Sequence, residues 1–186
     1  MIQTVLRRLA CFSPSLVVAV LMIVALGCEP PQDSLANWKP FSPPGGKFTV
    51  LLPSTPVEQI PKTNTGLEAK KYHIVSTMSN ISGLAIAYAD QPGRVDVQIE
   101  PKKLFDSLRA QAEADLRGQL ISESEITLQG RYPGRELKLA VPGGFTALQK
   151  TYLVNRRLYS LIVVAGSKGL DSPEAQKFFN SFQVLP

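Results

Sequence analysis

From Lys47 to Ala165 glycine and proline cut the chain into short runs in which apolar and polar residues alternate, and this punctuation limits the fold more than any other feature. Successive side chains of a strand point to opposite faces, so alternation marks a half-buried strand, while Gly and Pro end strands and build turns. Lys47 to Pro53 places Phe48, Val50 and Leu52 on one face. A second run spans Glu68 to Ser76, where Tyr72 and Ile74 alternate with Lys71, His73 and Val75. A third, Gly83 to Ala89, carries Leu84, Ile86 and Tyr88 on one face and Ala85, Ala87 and Ala89 on the other, a small face that lets a helix approach closely. Glu123 to Leu128, Arg135 to Val141, Phe145 to Asn155 and Arg157 to Ala165 read as further strands, separated by Gly130, Pro133-Gly134 and Pro142-Gly143-Gly144. Asn155-Arg156 suits a tight hairpin because Asn tolerates positive φ. Leu161-Ile162-Val163-Val164 is apolar on both faces, which predicts a central strand covered on each side.

Two stretches have helical spacing instead. Pro101 opens one that runs to Leu116, with Leu104, Leu108, Ala112 and Leu116 recurring every turn, Phe105 beside them, and Gly118 as the stop. Ser172-Pro173-Glu174 opens the other: a hydroxyl cap, proline at the first helical position and a carboxylate at the positive end of the dipole. Ala175, Phe178, Phe179 and Phe182 form its core stripe. Three strands, a helix, four strands and a helix, joined by short turns, make an α+β domain: an antiparallel sheet of about six or seven strands with two helices packed on it.

The amino terminus reads as an export signal. Arg7 and Arg8 precede an unbroken apolar run from Leu16 to Leu26 that ends at Gly27-Cys28. A membrane-spanning helix needs about 20 apolar residues, so this run is too short for a permanent anchor, and Pro14 bars an upstream extension. Ala25-Leu26-Gly27-Cys28 resembles the lipobox of bacterial lipoproteins, with Ala25 where leucine is usual. The resemblance implies a diacylglycerol on the Cys28 sulfur, cleavage before Cys28 and a mature chain of residues 28–186. Acyl chains contribute about 0.8 kcal/mol per buried methylene, so two or three hold a protein firmly on a membrane.

Of the two cysteines, Cys11 falls in the leader and Cys28 is the lipid site, which leaves the folded part without a thiol and dependent on its core. Charge points the same way. The formal net charge is +5, and it falls to +3 when Arg7 and Arg8 leave with the leader, a balance that offers no case for a nucleic-acid partner. Residues 28–46, with Pro30, Pro31, Pro40, Pro43 and Pro44, read as a Pro-rich tether, and residues 47–186 as the domain. Trp38 and Phe41 interrupt the tether and are expected on the domain edge, the alternative being an aromatic ring at the lipid interface.

Several segments, in order, resemble the PsbP-like superfamily. They are Phe48-Thr49-Val50-Leu51-Leu52-Pro53, Tyr88-Ala89-Asp90, Gly130 with Pro133-Gly134-Arg135-Glu136, Arg157-Leu158-Tyr159, and Phe178-Phe179-Asn180-Ser181-Phe182. The resemblance implies a curved antiparallel sheet between helices and an accessory or protein-binding module rather than an enzyme. It brings no functional residues with it, and a fold does not establish a function.

The residues themselves carry no catalytic signature. His73 is the only histidine, without the Cys or second His of a usual zinc site, and no serine stands in a Gly-x-Ser-x-Gly elbow. Glu123 and Glu125 share a strand face but read as a solvated edge, and Asp90, Asp96 and Glu100 lack calcium-loop spacing. Gly45-Gly46 and Gly143-Gly144 do not form a phosphate loop. Arg131, Arg135, Arg156 and Arg157 flank two turns and are the candidate anion-binding set. The expectation is therefore a lipoprotein of the bacterial cell envelope, on its extracytoplasmic or periplasmic side, held to the membrane through Cys28, binding or scaffolding an unknown envelope protein, with no metal, cofactor or enzymatic activity. The alternative is a carrier or chaperone for an apolar ligand in the concavity of the sheet.

Overall fold

The computed structural model describes residues 35–59, 73–78, 82–90, 100–166 and 169–186. The leader and Cys28 lie outside them. So do Glu68 to Tyr72, which the sequence assigns to a strand, and Asp96. The strands are β1 (Lys39–Phe41), β2 (Phe48–Leu52), β3 (Val57–Gln59), β4 (His73–Met78), β5 (Ser82–Asp90), β6 (Gln119–Leu128), β7 (Tyr132–Val141), β8 (Phe145–Val154), β9 (Arg157–Ala165) and β10 (Gln183–Val184). The helices are α1 (Pro101–Leu116) and α2 (Pro173–Ser181), and Leu35–Asn37 form one 3-10 turn. Among the described residues no helix is long and apolar enough to cross a membrane.

A seven-stranded sheet runs in the order β3-β4-β5-β9-β8-β7-β6, every neighbouring pair antiparallel, and a smaller sheet has the order β1-β2-β10. The α+β class read from the sequence is the observed one. Strand β9 is central, as its apolar character on both faces requires. One face receives α2 and the small sheet: Phe48 and Val50 of β2 and Ala175, Phe178 and Phe182 of the α2 region pack with Leu84, Ile86, Tyr88, Tyr159, Leu161 and Val163. The other receives α1, through Ala112 and Leu116 on Leu137, Leu139 and Ala147, and through Phe105, Leu104 and Leu108 on Leu153 and Leu158. On the alanine face of β5, Ala85 and Ala89 are buried and Ala87 is half-buried, but the described contacts of α1 lie on β7, β8 and β9.

Local rules account for the helix ends and turns. Ser172 Oγ accepts a hydrogen bond from the Ala175 amide and Pro173 takes the first helical position, so α2 begins as its sequence predicts. Helix α1 stops one residue before the expected glycine: Arg117 adopts the left-handed conformation (φ 46°), and the Gly118 amide donates to the Glu113 carbonyl. Space is tight at Gly118, where a Cβ would meet the Ala140 carbonyl at 3.2 Å. Asn155 has φ 55° in the β8–β9 hairpin, as expected. The β6–β7 turn is Gln129-Gly130, both at positive φ, with the Arg131 amide donating to the Leu128 carbonyl. Pro133-Gly134, read as a separator, lies inside β7, and Gly134 is there because a Cβ would fall 2.5 Å from Tyr152 Cδ1.

The largest difference lies upstream of Lys47. The sequence puts residues 28–46 in a tether, yet from Leu35 onward they belong to the folded body. Lys39, Pro40 and Phe41 pair with Leu52, Leu51 and Val50, and Trp38 is only 6% exposed. Proline forbids a helix but not an edge strand, where a missing amide costs nothing on the open side. Three-residue β3 and two-residue β10 are too short for alternation to reveal.

Within the α2 stripe Phe178 has 0% exposure, whereas Phe179 is half-buried with the Lys150 ammonium 4.7 Å from its ring centre. Phe178→Ala is expected to cost about 3–5 kcal/mol and Phe179→Ala less than half of that; urea denaturation of both variants measures the difference.

Candidate functional site

The candidate arginines do not converge. The β6–β7 and β8–β9 turns lie at the same end of the sheet, because β7 begins opposite the end of β8. Arg131 is exposed in the first turn and lays its guanidinium 4.5 Å from the centre of the Tyr132 ring. Arg156 is half-buried in the second. Arg157, next to it, is committed to a carboxylate: Nε and Nη2 donate to the two Asp90 oxygens at 2.6 and 2.8 Å. Its Nη1 donates to the Gly45 carbonyl at 2.6 Å, and the Tyr159 hydroxyl donates to the Gly46 carbonyl at 2.8 Å. Hydrogen bonding to Asp90 raises the Arg157 pKa further. This arginine fastens the β1–β2 loop to the sheet, and its fork has no open pair of donors for an outside anion.

Arg135 lies beneath α1 and its side chain is 10% exposed. The β6–β7 register makes Glu125 its cross-strand neighbour and puts Glu123 on the same face, two residues on. Its Nη1 pairs with Glu123 Oε1 and lies 3.6 Å from Asp106 of α1, while Nη2 is 3.8 Å from Glu125. Arg109 of α1 donates to the other Glu123 oxygen at 2.8 Å, and Phe105 offers its ring 5.6 Å from the Arg135 guanidinium. Burial acts to raise the Glu123 pKa, but the hydrogen bonds from Arg109 and Arg135 outweigh it and hold the carboxyl below its ordinary value. A carboxylate locked in its ionised form between two guanidiniums is a clamp between helix and sheet, not a proton carrier. Glu125, 86% exposed, is the solvated residue expected at this edge; Glu123, 18% exposed, is not. Centring the hairpin on Gly130 would have revealed this, since five residues back and five forward from it stand Glu125 and Arg135.

A polar seam continues across the same face. Gln149 Nε2 donates to Thr151 Oγ1 at 3.1 Å, and Thr151 shares a 2.9 Å hydrogen bond with Ser160. Asp115, in the last turn of α1, has no cation beside it among the described residues, and burial pushes its carboxyl up to about 6. The negative end of the helix dipole adds to that cost. Among the described residues no three His, Cys, Asp or Glu side chains gather as a metal site requires.

The outer surface has two distinct features. Strand β6 is an edge of the large sheet, ten residues long and exposed over most of its length, with a bulge between Leu120 and Ser122. Leu120 and Ile121 of this strand and Phe145 of β8 are exposed large apolar side chains. At the amino-terminal end of the described chain, Lys177 of α2 donates to the Leu35 carbonyl and lies 5.7 Å from the centre of the Trp38 ring. That packing holds Trp38 against the domain.

No protein-family model and no curated protein matches the sequence. Among solved structures, the chain is similar to cyanobacterial PsbP (CyanoP) from Synechocystis sp. PCC 6803, with a TM-score of 0.53 and 13% identity over 86% of this chain and 99% of that one. A second similar structure is PA94, a protein of unknown function from Pseudomonas aeruginosa, with a TM-score of 0.42 and 10% identity over 72% of this chain and 86% of that one.

Removing one partner of a buried pair leaves the other charge stranded, so Glu123→Gln is expected to lower stability by about 2–4 kcal/mol, and calorimetry at neutral pH checks it. Asp115 has the opposite sign. Its raised pKa means the folded state binds the proton more tightly than the unfolded chain, so its ionisation destabilises the fold as pH rises from about 4 to 6. Asp115→Asn is expected to raise Tm at pH 7 and to leave it unchanged at pH 3.5. The likeness to cyanobacterial PsbP is one of architecture, and the chain has a PsbP-like fold.

Proposed function

We propose that this chain is a lipid-anchored, extracytoplasmic protein of the bacterial cell envelope whose PsbP-like domain binds or scaffolds another envelope protein. One observation carries the binding role: β6 leaves a ten-residue sheet edge open to solvent, with exposed Leu120, Ile121 and Phe145 at one corner. An open edge offers backbone donors and acceptors to a partner's strand, and the apolar corner supplies contact area. The lipid anchor rests on Ala25-Leu26-Gly27-Cys28.

The carrier reading is less well supported. It needs a dry concavity on the sheet, whereas the described apolar faces are filled: Phe48, Tyr159, Phe178, Leu84 and Leu161 are among the fully buried side chains between the sheet and the layer that covers it. An accessory role also suits the charged groups beneath α1, which are spent on one another.

Two measurements test the proposal. Cys28→Ser is expected to abolish fatty-acid labelling and leave the precursor uncut; unchanged labelling refutes the anchor. A photocrosslinking residue at Ser124 of β6 is expected to capture a discrete protein in intact membranes, while one at Gln176 on α2 does not. Equal capture at both positions, or none reproducible at Ser124, refutes the binding role.

A further inference from the structure

The packing of residues 35–46 changes how far the domain can stand from a membrane. A tether of residues 28–46 would stretch to about 65 Å, but a chain that joins the fold at Leu35 leaves only the segment from Cys28 to Leu35, about 25 Å when fully extended. A domain of this size is about 40 Å across. A lead shorter than the body it holds cannot reach around it, so the point of attachment has to stay on the bilayer side.

The chemistry at that point suits such a surface. Ala36, Asn37, Lys39, Pro40 and Lys47 are exposed, and residues 35–57 contain Lys39 and Lys47 but no acidic residue. Lys177 of α2 adds a third ammonium beside Leu35 and Trp38. Lysines close to anionic headgroups are attracted to them, and the attraction fades within a Debye length. We infer that the outer side of β1 and the β1–β2 loop, with Lys39 and Lys47, lies against an anionic lipid surface in the anchored protein. The inference rests on the lipid anchor proposed above. Strand β6 is held off to the side: β8 and β7 separate it from β9, on which Phe48 packs, by about 14 Å of sheet.

The test uses the mature lipidated protein, residues 28–186, in vesicles of phosphatidylglycerol and phosphatidylethanolamine. Cys28 is blocked by lipid and Cys11 is lost with the leader, so Asn37→Cys and Ser124→Cys each accept one fluorophore, with energy-transfer acceptors on the lipid headgroups. The expected result is stronger transfer from position 37 by at least about twofold, given the two distances. Lys39→Glu with Lys47→Glu is expected to weaken that preference in anionic vesicles and not in phosphatidylcholine. Equal transfer from both positions, with the lipid mass present on Cys28, overturns the inference and leaves the anchor standing. Absence of that mass overturns the anchor, and the orientation falls with it.

Discussion

Phe48 is the side chain on which the two-sided architecture depends. It has no exposed surface, and its ring meets Tyr88 at 5.3 Å, Tyr159 at 5.7 Å and Phe182 at 5.6 Å between centroids. Those partners come from β5, β9 and the end of α2, so one ring joins the small sheet, the large sheet and the carboxy-terminal helix. Edge-to-face aromatic contacts add about 0.5–1.5 kcal/mol each beyond the area they bury. The Tyr159 hydroxyl then finds its acceptor in the Gly46 carbonyl, two residues before Phe48, so that burying the tyrosine leaves no unpaired polar group. Arg157 and Asp90 reinforce the same junction from the surface.

The opposite face is held by different means. Apolar contacts secure α1 along its stripe, but beside them the helix is tied to β6 and β7 by alternating charges, Arg109 to Glu123 to Arg135 to Asp106. An apolar surface tolerates sliding, whereas a carboxylate held by two guanidiniums fixes position along and around the helix axis. The Arg135 Nε is buried and meets no hydrogen-bond partner among the described residues. Together the two faces commit the described interior to holding shape.

Much of this was legible in the sequence. Period-two alternation located the long strands, apolar residues on both faces placed β9 at the centre, and the Ser172-Pro173 pair marked the start of α2. What escaped has physical reasons. Strands β1, β3 and β10 are shorter than a repeat of the pattern that betrays a strand, and they exist because β2 and β4 present edges for them. The proline-rich stretch before Lys47 looked like spacer because composition records which conformations are forbidden, not which surfaces are near. Arg135 looked like one of several turn cations because Glu123 becomes its neighbour only once the β6–β7 register is set, and Asp106 only once the helix lies on the sheet. The exposed apolar corner at Leu120, Ile121 and Phe145 was invisible for the same reason.

The small sheet joins the beginning of the domain to its end. Strand β2 has β1 on one side and β10 on the other, and the Leu185 amide donates to the Lys47 carbonyl just beyond that pairing. As the polypeptide emerges from the ribosome, β2 appears well before β10 and keeps one flank uncovered until β10 reaches it. A chain that lacks Gln183 and Val184 therefore loses the strand that seals β2 on that side.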